Sequence, residues 1–412
     1  MKILLINTFL YRRGGDCTYM FSLGELLKSK GHEVYYWGMK HPLNIIHDNE
    51  DCFPEYIDYV EMNANKNPIN ALKVLTRSIY SFEAKKKLEA FLCIVKPDMI
   101  HLNNIHAHLT PSIIDVIHKR NIPIFWTLHD YKFLCPNTHF LNHGVICEKC
   151  KGGRYFHCVF QKCKKDSYAA SFVATLEAYI HAILGVKDNI CHYISPSNFL
   201  KNKFIEFGWN QETISVVNNF LPTSSFQNHS ENIGNYLLYF GQLELWKGIK
   251  TLLEVASLMP QVKFKIAGDG TLKEYVQQFI ERNPAKNIEY SGYQQGKSLQ
   301  SLIQNSRAVI VPSEWYENFP YSVLESLAMG KPVIGARIGG IPELVKDGET
   351  GFTFEYGNSE DLRKRIVYLL DNPNLVVEMG KKAREFVEEN FNSEKYYQGL
   401  IKIYQKAIGK HR

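Results

Sequence analysis

Two α/β units, each a Rossmann-like doubly wound parallel sheet, are predicted by three observations. Strand-like apolar runs alternate with helix-like periods from Ile3 to Ser197, and a second alternation of the same kind starts near Tyr236. Between them, residues 198–234 form a linker, most polar and least patterned over residues 224–234. Alternation, rather than blocks of strands and blocks of helices, is what parallel strands with helical crossovers require.

In order, residues 3–7 read as a strand, 8–16 as a loop, 17–30 as a helix stopped at Gly31, and 33–37 as the second strand. Short apolar runs at 99–102 and 124–128 are followed by polar residues, and Tyr193-Ile194 before Ser195-Pro196-Ser197 closes the first half. In the second half 237–240, 262–267, 288–291, 308–311 and 333–335 read as strands, with helices at 248–259, 272–282 and 299–305. Residues 393–412 read as a basic amphipathic helix, with Tyr396, Leu400, Tyr404 and Ile408 at i, i+4 spacing. The expected organisation is a first domain at 1–198 with a cysteine-rich insertion at 135–165, a second domain at 199–392, and the closing helix.

The chain has 412 residues, 45% hydrophobic and 22% charged, which suits a globular protein of more than one domain. A net charge of +6 suits an anionic partner, a nucleoside diphosphate or an anionic lipid surface. No dense Lys/Arg stripe with interleaved aromatics occurs, so a nucleic-acid partner is not expected. Met1-Lys2 leads straight into a strand, which leaves no signal core, and the longest apolar run, 168–186, is interrupted by Glu177 and His181. The expectation is a cytoplasmic protein with peripheral contact at the inner membrane face. Lys85-Lys86-Lys87, on a helix with Leu88 and Phe91, is a candidate for that contact, a solvated helix face being the other reading.

The most informative segment is 313–345. It places Glu317 and Glu325 eight positions apart across a loop-to-helix junction that follows the 308–311 strand. Pro320 suits the first turn of the helix. Val323, Leu324, Leu327 and Ala328 share one face, which must be core. A helix N-terminus suits a phosphate. Flanking it with two carboxylates, which only accept hydrogen bonds, suits a ligand with hydroxyls at both ends and phosphate between, a nucleotide sugar. Lys247, in Gly241-Gln-Leu-Glu-Leu-Trp-Lys-Gly248 between a strand and a helix, is placed to stabilise a leaving diphosphate. Gly14-Gly15 ends the first strand–helix loop, where glycine permits close approach and positive φ. His129-Asp130 ends a strand, at the edge where open α/β sheets bind ligands, and His106 and His108 occupy another strand-end loop.

With S-E-W-Y-E-N-F-P at 313–320, L-A-M-G-K-P-V-I at 327–334 and G-G-I-P-E-L-V at 339–345 in register, the sequence resembles, over nearly its whole length, the retaining glycosyltransferases of family 4. The resemblance implies the GT-B fold, two Rossmann-like domains facing an interdomain cleft. It implies transfer of a hexose, with retention of configuration, from a UDP- or GDP-type nucleotide-sugar donor to a glycan or lipid-linked acceptor. The setting would be cell-surface polysaccharide biosynthesis, with no cofactor required for catalysis. By the same resemblance Glu325 binds the ribose and Glu317 the donor sugar, and the turn of Asn318, Phe319, Pro320, Tyr321 and Ser322 faces the diphosphate. Lys247, Gln242, Gly14 and Gly15 also bind donor, and His129 joins Lys247 and Glu317 as the catalytic set. Two positions depart from the family pattern. Gln242 stands where arginine is common, with Arg13 a candidate to compensate, and Pro320 stands where glycine is frequent and cannot donate an N–H. A non-catalytic GT-B scaffold and a GT-B sugar-nucleotide epimerase are the alternatives. No Asp-x-Asp occurs, which disfavours a manganese-dependent GT-A enzyme.

Nine cysteines are present, five of them at 135, 147, 150, 158 and 163. The spacing of Cys147, Cys150, Cys158 and Cys163 is close to that of a structural zinc site, with free thiols gathered by chance as the other reading. Gly292-Tyr-Gln-Gln-Gly296-Lys297-Ser298 is one residue short of a P-loop and reads as a turn near the nucleotide base.

Overall fold

The structure, a computed structural model, describes residues 1–56, 77, 79–106, 108–222 and 232–411. Most of the polar run at 224–234 lies outside the described residues. Two compact units divide the chain. One comprises residues 1–196, 201–217 and 397–412, the other residues 197–200 and 218–396.

The first unit holds a six-stranded parallel sheet of β1 (Lys2–Ile6), β2 (Glu33–Trp37), β3 (Met99–Leu102), β4 (Ile124–Thr127), β7 (His192–Ser195) and β8 (Ile214–Val216), in the order β2-β1-β3-β4-β7-β8. A two-stranded hairpin, β5 (Leu141–Asn142) with β6 (Val145–Ile146), lies in the cysteine-rich insertion. Every residue of β3 and β4 is buried, as expected of strands covered on both faces. The closing helix, Ser393–His411, joins this unit from Tyr397 onward. Its Tyr404 has no exposed surface, packs 4.6 Å from the Phe125 ring and hydrogen-bonds the buried His101.

The second unit holds β9 (Tyr236–Phe240), β10 (Lys263–Ala267), β11 (Ile288–Gly292), β12 (Ala308–Val311), β13 (Val333–Ala336) and β14 (Gly351–Phe354), all parallel, in the order β11-β10-β9-β12-β13-β14. Counted within the unit this is 3-2-1-4-5-6, the Rossmann order, whose direction of winding reverses between β9 and β12. In the first unit the reversal falls between β1 and β3. Ligands of such sheets bind outside the carboxyl ends of the strands at these points, because the crossovers diverge there and leave a crevice.

The sequence reading needs two corrections here. It gave residues 199–217 to the second domain and its linker, whereas residues 201–217 continue the first sheet: Tyr193 pairs with Ile214 and Ser195 with Val216. β8 was missed because Ile-Ser-Val is three residues long with one fully buried side chain, too short a run to show a pattern. The Lys85-Lys86-Lys87 cluster is largely engaged within the fold: Lys85 reaches Tyr80 at 2.8 Å and Asp115 at 3.4 Å, Lys87 donates to the Asp51 carbonyl at 2.5 Å, and Leu88 and Phe91 face the core.

Candidate functional site

The loops that leave β9 and β12 carry Lys247 and Glu317, so topology alone delivers both to the switch point of the second sheet. After β9 the chain makes a short 3₁₀ turn, Leu245–Lys247, ended by Gly248 at φ +71°. A Cβ on Gly248 would stand 1.8 Å from the Pro312 carbonyl oxygen, so only glycine lets this turn lie against the loop after β12. The two loops are tied by the Glu314 N–H donating to the Trp246 carbonyl at 2.8 Å.

Lys247 Nζ stands 2.6 Å from Glu317 Oε1 and 4.9 Å from the Trp315 ring centre. Ser313 Oγ donates to the same carboxylate oxygen at 2.6 Å. The Glu317 side chain is only 8% exposed. Burial alone would raise its pKa, but the Lys247 ammonium and the hydrogen bonds from Lys247 and Ser313 hold it below the ordinary value. Glu317 is fixed from behind by the Gly339-Gly340 pair. The Gly340 N–H donates to the Glu317 carbonyl at 2.6 Å, and Gly339, at φ +61°, would place a Cβ 2.4 Å from that oxygen. Through these backbone contacts the glycines set the position of Glu317. The G-G-I-P motif was visible in the sequence, but its role was not.

The helix Tyr321–Ala328 starts one residue later than expected, with Pro320 as its extended N-cap rather than in its first turn. The Val323 and Leu324 N–H groups donate to the Pro320 carbonyl at 3.1 and 3.3 Å, so the amides of Tyr321 and Ser322 precede the first intrahelical bond. Val323, Leu324 and Leu327 have no exposed surface, and each contributes about 1.5–3 kcal/mol to anchoring the helix. Phe319 is also buried, edge-on to Phe391 at 5.4 Å, so its side chain belongs to the core and only its backbone is left for a ligand. Asn318 is half-buried and Gln242 exposed at the end of β9, where Tyr239 donates to the Gln242 carbonyl at 2.6 Å. Glu325 keeps some contact with solvent but is crowded by protein. Burial lifts its carboxyl to about 7, and it has no hydrogen-bond partner among the described residues.

The first unit gathers its own polar groups at strand ends. His129, two residues beyond β4, pairs with Asn103 Oδ1 at 3.1 Å and meets the Tyr19 ring edge-on at 5.0 Å. Beneath it Tyr19 and His101 both reach Thr127 Oγ1, at 2.9 and 2.7 Å. Burial lowers the pKa of His129, so its ring is neutral near pH 7. Asn103, directly after β3 at the switch point, was missed by the sequence reading, although a polar residue ending an apolar strand was the available signal. Gly14 is the N-cap of the helix Gly15–Ser29 at φ −161°, and Gly15 is its first residue. Neither has positive φ, so the conformational reason given for glycine there does not hold. Arg13 stacks its guanidinium 4.3 Å from the Phe9 ring centre.

The thiols of Cys135, Cys147, Cys150, Cys158 and Cys163 lie close enough together to bear on one another's charge. All nine cysteines are free thiols, and no three His, Cys, Asp or Glu side chains among the described residues are gathered as a metal-ligand set. Cys158 and Cys163 hydrogen-bond to each other, while Cys147 Sγ points to Gln161 Oε1 at 3.9 Å. Cys150 is pushed up to about 12 by burial and then by the neighbouring thiols of Cys135, Cys158 and Cys147. His106 stacks on Trp126 at 5.5 Å and His108 meets Phe9 edge-on at 5.7 Å, so these two histidines also pack against aromatic rings.

Comparison with known proteins agrees with the geometry. An uncharacterized glycosyltransferase of Methanocaldococcus jannaschii is 29% identical over 213 residues, 52% of this chain and 59% of that protein. An uncharacterized 42.6 kDa protein in the cps region of Klebsiella pneumoniae is 26% identical over 84% of this chain and 87% of its own length. Among solved structures, Anabaena HepE in complex with UDP superposes with a TM-score of 0.67 at 18% identity, covering 98% of this chain and 100% of that one, a likeness of fold. The two Rossmann-like sheets are those of the GT-B fold, with the second in the 3-2-1-4-5-6 order. Residues 222–386, the stretch that carries Lys247, Glu317 and Glu325, match the family Glycosyl transferases group 1, and the chain therefore carries a glycosyl transferases group 1 domain.

Proposed function

We propose that the protein is a retaining glycosyltransferase of the family 4 type. It moves a hexose from a UDP- or GDP-type nucleotide sugar to a glycan or lipid-linked acceptor in cell-surface polysaccharide assembly. The observation that carries this reading is the buried Lys247–Glu317 pair at the switch point, followed by a helix whose second turn bears the unpartnered Glu325. Lys247 has three N–H donors and uses one on Glu317, leaving two for a diphosphate. Glu317 Oε1 accepts from Lys247 and Ser313, and the Trp315 side chain also bonds the carboxylate, which holds it fixed to accept from a sugar hydroxyl. Glu325 takes the ribose hydroxyls, and the Tyr321 and Ser322 amides face phosphate at the positive helix end. When the glycosidic bond breaks, negative charge grows on the leaving diphosphate, and a cation already fixed there lowers that barrier without reorganising. His129, neutral, is a hydrogen-bonding group for the sugar near its reacting carbon. The Klebsiella relative is described as lying in a cps region, and HepE was solved with UDP, which favours a uridine donor and a polysaccharide product.

The test is release of nucleoside diphosphate from UDP- and GDP-sugars with glycan and lipid-linked acceptors. Activity lost in Glu317→Ala and Lys247→Met, with the fold retained, supports the proposal. Donor binding without turnover for any acceptor favours the scaffold alternative, to which the exposed Gln242 in place of arginine is the pointer.

A further inference from the structure

Six of the large apolar side chains most exposed on the described surface fall within residues 156–184: Phe156, Phe160 at 74%, Tyr168, Phe172 at 58%, Ile183 at 83% and Leu184. They belong to two packed helices, His157–Phe160 and Tyr168–Ile183, and the residues that flank them. The longer helix buries Ser171, Ala174, Thr175 and Glu177 on its inner side. At 3.6 residues per turn Tyr168, Phe172, Tyr179 and Ile183 fall within a sector of about 60° that adjoins the buried one at Thr175. Tyr179 accepts the Phe156 N–H at 3.3 Å, and the Phe156 and Phe160 rings meet edge-on at 6.2 Å, so the short helix extends the same apolar face.

Cations border this face. Residues 148–166 contain Lys149, Lys151, Arg154, Lys162, Lys164 and Lys165 against only Glu148 and Asp166. Lys149, Lys151, Arg154 and Lys165 are exposed, and Lys162 Nζ sits 4.7 Å from the Tyr168 ring centre at the edge of the patch. An apolar stripe with aromatic residues and a lysine-rich margin is what an interfacial helix needs: insertion between headgroups plus attraction to anionic lipid. Protein–protein interfaces are depleted of lysine, which argues against a second copy of the chain as the occupant.

We propose that this face docks on an anionic bilayer surface, with the helix Tyr168–Ile183 lying in the headgroup plane. The site is distinct from the Lys85-Lys86-Lys87 helix, whose cations are largely used within the fold. It stands independently of the proposed reaction, since binding is read without a sugar donor.

The test is co-sedimentation of the full chain with phosphatidylcholine vesicles, with and without phosphatidylglycerol. The expected result is binding only to the anionic vesicles and its loss on raising salt. A further loss of at least about tenfold is expected in Phe172→Ser/Ile183→Ser and in Lys162→Ser/Lys165→Ser. Because all four positions are half-buried or exposed, unchanged thermal unfolding serves as the folding control. Equal binding to neutral and anionic vesicles, or no effect of either double substitution, overturns the proposal. So does a dimer that Phe172→Ser/Ile183→Ser dissociates while vesicles bind nothing.

Discussion

Replacing Lys247 by methionine probes the electrostatics of the site directly. The substitution keeps the apolar stem and removes the cation 2.6 Å from Glu317. Removing one partner of a buried pair leaves an uncompensated charge, at a cost of about 3–5 kcal/mol. The Ser313 hydrogen bond survives, which places Lys247→Met near the lower bound, about 3 kcal/mol at pH 8. In a unit of roughly 180 residues this lowers the thermal midpoint by about 6–12 °C. Its sign with pH follows from the carboxyl. In the native chain the Glu317 pKa is held below 4.5, so its contribution is present above that value and is lost only as pH falls through the lower, folded one. Without Lys247, burial is opposed only by the remaining hydrogen bonds and the folded pKa rises above the ordinary value. The deficit of the variant is then full at pH 8 and shrinks as the carboxyl protonates on going to pH 5. Glu317→Gln leaves an ammonium whose side chain is 19% exposed and can turn to water, so it costs less, about 1–3 kcal/mol. The assay is thermal and urea unfolding of wild type, both single variants and Lys247→Met/Glu317→Gln at pH 5 and pH 8. A Lys247→Met deficit that is the same at both pH values, or a double variant equal to the sum of the singles, refutes the reasoning.

Three further outcomes are expected. Glu325, raised from 4.5 to about 7 by burial, contributes stability that is full below pH 4.5 and is lost as pH rises through 7; Glu325→Gln is therefore more stable than wild type at pH 8, by about 1–3 kcal/mol, and no different near pH 4.5, as read by thermal unfolding at both values. Gly339→Ala, with its Cβ directed into the Glu317 backbone at positive φ, destabilises by more than about 1 kcal/mol and weakens nucleotide-sugar binding in calorimetry, whereas Gly348→Ala, at positive φ in open space, leaves that binding unchanged. Tyr404→Phe keeps the buried ring but leaves His101 Nδ1 without its partner, the Thr127 bond at Nε2 remaining, at a cost of about 1–3 kcal/mol in urea unfolding.

The strands were legible where a run of apolar residues was buried on both faces: 99–102 and 308–311 have the same bounds in sequence and structure, as does 33–37, a partly buried edge strand. β8 was not, because strand pairing with β7 rather than local pattern decides its state. In the candidate site, Glu317, Glu325 and Lys247 stood out as candidates because charge at a strand-to-helix junction is locally unusual. Asn103, Tyr19 and the Gly339-Gly340 brace were not, since each acts through a partner far away in sequence: Asn103 on His129, Gly340 on Glu317. Thiol spacing counts residues along the chain, whereas the hydrogen bonds of Cys158 to Cys163 and of Cys147 to Gln161 are set by the short helix at 157–160 and the hairpin before it.

The first unit takes Tyr397 onward, including Tyr404, from beyond the entire second unit. During translation the second unit has all its residues while the first still lacks the helix that covers His101 and Phe125. The half that is made first is thus completed last. A recombinant fragment cut at the end of β8 would emerge with an apolar gap where that helix belongs, while residues 218–396 could be expressed alone with their sheet whole.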